Sequence, residues 1–121
     1  QRAMIRLATT DDWAAFTGKA DPPEWHGYVD ASDWLIEGLG AVFKGDGDKW
    51  WITFVRAPGV RKTKTAHAMA KRLLKEAKDK GFWPVHGLAD PRITGAEKWM
   101  QRLGFVPTDD EQWGLPVWVL K

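Results

Sequence analysis

Trp50-Trp51-Ile52-Thr53-Phe54-Val55, leading through Pro58 into Arg61-Lys62-Thr63-Lys64-Thr65-Ala66, is the stretch on which the fold of this chain turns. Its first six residues are mostly aromatic or β-branched and apolar on both alternating faces, a pattern that predicts a central strand. Beyond the basic turn, Ala66, Met69, Ala70, Leu73, Leu74 and Ala77 recur at three- and four-residue steps, with Lys71, Arg72, Lys75, Glu76, Lys78 and Asp79 opposite. That periodicity predicts an amphipathic helix, closed by Lys80-Gly81. A strand running through a basic turn into a helix aims backbone N–H groups and the positive helix end at one place, which suits an anion. An ordinary solvated helix start is the competing reading.

Downstream, residues 82–89 predict another strand, Asp90-Pro91-Arg92 a break, and residues 93–103 a second amphipathic helix ending at Gly104. Phe105-Val106-Pro107 and residues 115–120 bracket a polar turn and read as a closing strand pair. Upstream, residues 4–8 alternate as a first strand, and Thr9-Thr10-Asp11-Asp12 offers a helix cap with acids in the first turn. Between 17 and 33, Gly18, Asp21-Pro22-Pro23 and Gly27 break every period, so this segment reads as a loop able to line a cleft. Residues 34–43 predict one bent strand or two, interrupted at Glu37-Gly38, and Lys44 to Lys49 a hairpin turn rather than a calcium loop.

The 121 residues suffice for one domain with a single core. No apolar run approaches the roughly 20 residues of a membrane span, and the first residues carry no secretory signal pattern. The absence of cysteine excludes disulfides and thiolate metal sites and fits a cytoplasmic setting. A net charge of +2 is a weak pull toward nucleic acid. Nine tryptophans, scattered and without a repeated basic spacing, read as core and edge filling more than as a base-stacking platform.

With this order of elements, the chain resembles the GCN5-related N-acetyltransferase (GNAT) superfamily. The resemblance spans nearly the whole chain in element order and concentrates in two motifs. One is Pro58 with Arg61 and Ala66 at the helix start; the other is Ala96-Glu97-Lys98-Trp99-Met100-Gln101-Arg102-Leu103-Gly104-Phe105. It implies a single α/β (α+β) domain over residues 1–121, with a mixed, largely antiparallel central sheet and helices on both faces. It also implies acetyl transfer from acetyl-CoA to an amine or protein acceptor, without a metal. Phe54, Val55, Arg61, Lys62, Thr63, Lys64, Thr65 and Ala66 are the cofactor-binding positions so implied. Lys64 stands where the family has a glycine, and Met100 where many members carry the tyrosine that protonates the departing thiolate.

Activation of an amine calls for a base, and residues 50–55 hold no carboxylate. Glu37 on the preceding extended segment is the candidate, with Asp33 nearby; an exposed strand carboxylate is the other reading of Glu37. His26 and His86 are weaker candidates, and His67 reads as a surface or phosphate contact. Two alternatives stand beside the enzyme. One is a non-catalytic GNAT-like structural or interaction protein, since the overall pattern is also similar to small GNAT-like internal virion proteins of short-tailed phages. That reading would put the chain in a host cytoplasm or virion. The other is nucleic-acid binding by the basic helix face, against which the interleaved Glu76 and Asp79 argue.

Overall fold

The computed structural model of the chain describes residues 3–20, 22–32, 35–56 and 63–121. Among these residues seven strands, β1 (Ala3–Leu7), β2 (Trp25–Ser32), β3 (Leu35–Lys44), β4 (Trp50–Arg56), β5 (Val85–Leu88), β6 (Val106–Gln112) and β7 (Leu115–Leu120), form one sheet. Their spatial order is β1-β2-β3-β4-β5-β7-β6, antiparallel throughout except for the β4–β5 pair. Helix α1 (Thr10–Thr17) packs on one face. Helices α2 (Thr63–Asp79) and α3 (Ala96–Arg102) pack on the other. The strand predicted at 50–55 is β4, fourth of the seven and thus central.

Helix α1 forms as its sequence dictates. Thr9 caps it: its hydroxyl accepts from the Asp12 amide, and the Asp12 carboxylate accepts from the Thr9 amide at 2.8 Å. Arg6 on β1 donates to both Asp12 oxygens, at 2.9 and 3.2 Å. Burial raises the Asp12 pKa, but the hydrogen bonds from Arg6 and Thr9 outweigh it and hold the carboxyl below its usual value. Trp13 then buries against Trp25 and Phe43, with ring centroids 5.3 and 5.5 Å away, and its indole N–H donates to the Ala20 carbonyl. Val29, Leu39 and Ala41 complete this smaller core.

The larger core lies under α2. Met69, Leu73, Leu74 and Ala77 are buried against Tyr28, Val42, Ile52 and Val85, and Met100, Phe105 and Trp118 extend the cluster. Glu76 does not face solvent as its place in the sequence implied. Its carboxylate accepts from the Tyr28 hydroxyl, lies 2.7 Å from His26 Nε2, and receives Arg72 Nε at 3.2 Å. Desolvation opposes its charge, yet these three partners win and pull the Glu76 pKa down to about 2.

Three expectations are corrected. The second half of the loop read over 17–33 is strand β2, paired with β3 along its whole length and with β1 from Tyr28 onward. The period was hidden because His26, Tyr28 and Asp30, polar residues, are the ones turned toward the α2 side, while Gly27 interrupts the apolar series on the other face. Gly27 is there for clearance: a Cβ would sit 2.7 Å from the Gly40 carbonyl oxygen. Second, the polar turn read after Pro107 is mostly strand β6, an edge strand whose charged residues are exposed and need no apolar alternation. Its true turn is two residues, Trp113 (φ 53°) and Gly114 (φ 77°), both left-handed as a type I′ hairpin requires. Third, β5 begins at Val85, and α3 begins at Ala96, both later than periodicity placed them.

Candidate functional site

Strand β4 makes seven register pairs with β3 but only two with β5, Trp50 with Val85 and Trp51 with His86. From residue 52 to 56 its β5-facing edge has no ladder partner among the described residues. The sheet therefore splays open midway along its central strand, and peptide groups that must be satisfied somehow face the gap. The splay opens toward the end of β4 from which the chain continues to α2.

On the β3 side of that end, Glu37 occupies an irregularity of the ladder. Asp30 pairs with Gly38 and Ala31 with Ile36, so Glu37 is the extra residue, a β-bulge. The interruption anticipated at Glu37-Gly38 is thus real, within one continuous strand. Glu37 is half-buried, not exposed, and lines a cavity together with Asp30, Phe54, Val55, Arg56 and Ala66. Only about 20 Å³ of that cavity admits the centre of a water molecule, room for roughly one water or one group of that size. Asp30, 5% exposed, is a buried acid that sequence inspection missed, because it lay in what read as loop.

The predicted cofactor-binding residues divide. Phe54 and Val55 sit on β4 beyond its last β5 pair, and Ala66 is buried in the first turns of α2 beside them. Lys64 projects into solvent and Thr65 is half-buried. Thr63 opens α2. Arg61, Lys62, Pro58, Ala57 and the secondary candidate Asp33 lie outside the described residues. No acidic residue occupies the first turn of α2, so nothing there opposes an anion at the helix start.

The remaining histidines separate cleanly. His26 is committed to Glu76, and His86 lies against Trp51 with Nδ1 3.2 Å from the Trp50 carbonyl oxygen. His67 is at the splay: Trp99 Nε1 of α3 donates to its Nδ1 at 3.1 Å, and the Trp99 ring rests on Phe54 with centroids 4.6 Å apart. Met100 is buried, filling space beside Gly87. A second, wider cleft of about 230 Å³ lies between the β3–β4 turn and β6, lined by Asp46, Lys49, Trp51 and Glu111, with Gln112 bonded to Asp46 across it.

The fold has many solved counterparts. An acetyltransferase of Bacillus subtilis in complex with CoA matches over 98% of this chain and 98% of its own, with a TM-score of 0.68 at 14% identity. An N-acetyltransferase from Staphylococcus aureus Mu50 matches over 99% and 98%, with a TM-score of 0.73 at 16% identity. A GNAT family acetyltransferase from Elizabethkingia anophelis with acetyl-CoA bound matches over 98% and 97%, with a TM-score of 0.69 at 14% identity. The architecture is the GNAT fold, in a sequence far diverged from these proteins. No protein-family model matches the chain, and no curated protein matches it.

Proposed function

We propose that this chain is an acyl-CoA-dependent N-acyltransferase that moves an acetyl group from acetyl-CoA to an amine. The observation that carries the reading is the splay of β4 from β5 beside the start of α2, within a fold shared with proteins solved with CoA or acetyl-CoA. The residues fit such a cosubstrate. The edge of β4 over residues 52–55, beyond its last β5 pair, offers amide donors and acceptors to the amides of the pantetheine arm. The N–H groups opening α2, with Arg61, Lys62, Thr63, Lys64 and Thr65, supply donors and positive charge for its pyrophosphate. Ala66 keeps the wall behind them small.

Acetyl-CoA would supply the thioester carbonyl that the amine attacks. Glu37 is the base in this reading, taking the proton of the amine directly or through the one water its cavity admits. A nitrogen with its protons is close to water in size, so the slot suits the amine head while the rest of the acceptor stays outside. The Phe54 ring, which lines the cavity and touches Trp99, stands between the acceptor side and the α3 side of the splay.

Isothermal titration with acetyl-CoA tests the reading. The parent protein binds, and the Arg61→Ala, Lys62→Ala double variant binds at least about tenfold more weakly, the scale of losing hydrogen bonds to a charged group. No heat of binding from a folded parent protein would sink the proposal.

A further inference from the structure

The α3 position that would carry a tyrosine proton donor holds Met100, and Met100 is spent in the core: it is 5% exposed, and its Cε lies where a Cβ on Gly87 would go. One residue earlier, Trp99 faces α2 and joins two groups at the splay. Its ring rests on Phe54, on β4 beyond the last β5 pair, and its indole N–H donates to His67 Nδ1 at 3.1 Å. An indole nitrogen can only donate, so Nδ1 must be the acceptor, and a neutral His67 imidazole then carries its proton on Nε2. Among the described residues nothing accepts from that Nε2–H. Helices α2 and α3 thus hold one unspent donor on an imidazole that Trp99 links to Phe54 of β4.

We propose that His67, with its tautomer set by Trp99, donates a hydrogen bond from Nε2 to the sulfur of the departing thiolate. This rests on the acyl-CoA reading given above. As the amine nitrogen bonds to the carbonyl carbon, the carbon–sulfur bond breaks and its electron pair passes to sulfur. The amine proton leaves to Glu37 or to water, and water finally protonates the thiolate. The imidazole donates without giving up its proton, so it ends in the form in which it began. In this role an N–H held in place before the charge develops needs no reorganisation as it appears, which is how such donors lower a barrier. Trp99 acts through His67 and is a positioning residue.

The test reads the acidity of bound CoA, using CoA itself as the probe and the ultraviolet absorbance of its thiolate as the signal. A donor to sulfur stabilises the anion, so the thiol in the parent complex titrates about one pH unit lower than in free CoA, a tenfold change in acidity. His67→Leu returns it to the free value. His67→Gln, whose amide nitrogen replaces Nε2, keeps most of the shift. Trp99→Phe retains a ring on Phe54 but loses the indole N–H, and falls between. Calorimetric CoA binding by each variant confirms that it folds. Equal thiol acidity in the bound parent and His67→Leu complexes overturns the role of His67. If that variant does not bind, equal acidity across the parent, His67→Gln and Trp99→Phe overturns it. Failure of the parent to bind CoA removes the acyl-CoA reading itself, a different and separately visible result.

Discussion

The two edges of β4 serve different ends. Toward β3 the ladder runs the whole length of the strand, sealed by glycines that let backbones approach and clamped from outside by α1. Toward β5 it stops after two pairs, and α2 and α3 bring Ala66, His67 and Trp99 to the opening instead of more sheet. Hydrogen bonds that would complete a sheet on the second edge are left for something else to make. A strand can be core scaffold on one side and binding surface on the other only if the first side carries the stability, and this asymmetry can be broken residue by residue.

The largest effect belongs to the sealed side. Trp13→Ala removes the ring that α1 lays against Trp25 and Phe43 and leaves the Ala20 carbonyl without its donor. A loss of about 3–5 kcal/mol is expected, read from urea unfolding, with the midpoint falling while the slope holds. Next is Gly27→Ala. The new Cβ meets the Gly40 carbonyl oxygen, a backbone atom that can move only if the β2–β3 pair moves, so about 1–3 kcal/mol is lost. Either variant that unfolded like the parent would mean that the β3 side is not where stability resides.

The same asymmetry decides what could be read without the fold. Strand β4 and helix α2 were legible because their burial is one-sided or complete and leaves a strong period. Strand β2 was not, since Gly27 answers a clearance and His26 and Tyr28 answer to Glu76, partners 50 and 48 residues away. Glu76 itself looked like an acid interrupting a basic face; drawn under by three partners, it leaves Lys71, Lys75 and Lys78 exposed on α2 with Asp79 at its end. Near the splay, the interruption at Glu37-Gly38 was legible and proves to be a bulge, whereas the burial of Asp30 and the His67–Trp99 bond were not, because both exist only through tertiary approach. A histidine and a tryptophan 32 residues apart carry no mark of their hydrogen bond.

A smaller effect tests the tie between α2 and β2. Glu76 has a pKa of about 2 in the folded chain against an ordinary 4.5, so its contribution is complete above pH 4.5 and is lost as pH falls toward 2. Its side chain keeps 31% of its exposure, and solvent screening brings the contribution to about 1–2 kcal/mol. Glu76→Gln should lower stability at neutral pH by that amount and flatten the decline between pH 4.5 and 2, measured as urea midpoints across that range. A decline equally steep in the variant would assign the acid sensitivity to other groups, Asp12 first among them.

The smallest expected effect is the sharpest comparison. Gly87 on β5 is as crowded as Gly27 by distance, since a Cβ there would lie 2.6 Å from Met100 Cε and 3.2 Å from Ile52 Cγ2. The obstacle differs in kind: a methionine methyl at the end of three rotatable bonds can turn aside, and a carbonyl in a paired ladder cannot. Gly87→Ala should therefore cost less than about 1 kcal/mol, with part of any strain offset by the lower chain entropy of alanine in the unfolded state. The displaced Met100 lies next to Trp99, so the change should register more in CoA binding than in the urea midpoint. If Gly87→Ala instead destabilised the protein as much as Gly27→Ala, the β5 side would be as rigid as the β3 side, and the splay would be a fixed feature of the sheet rather than an opening framed by movable side chains.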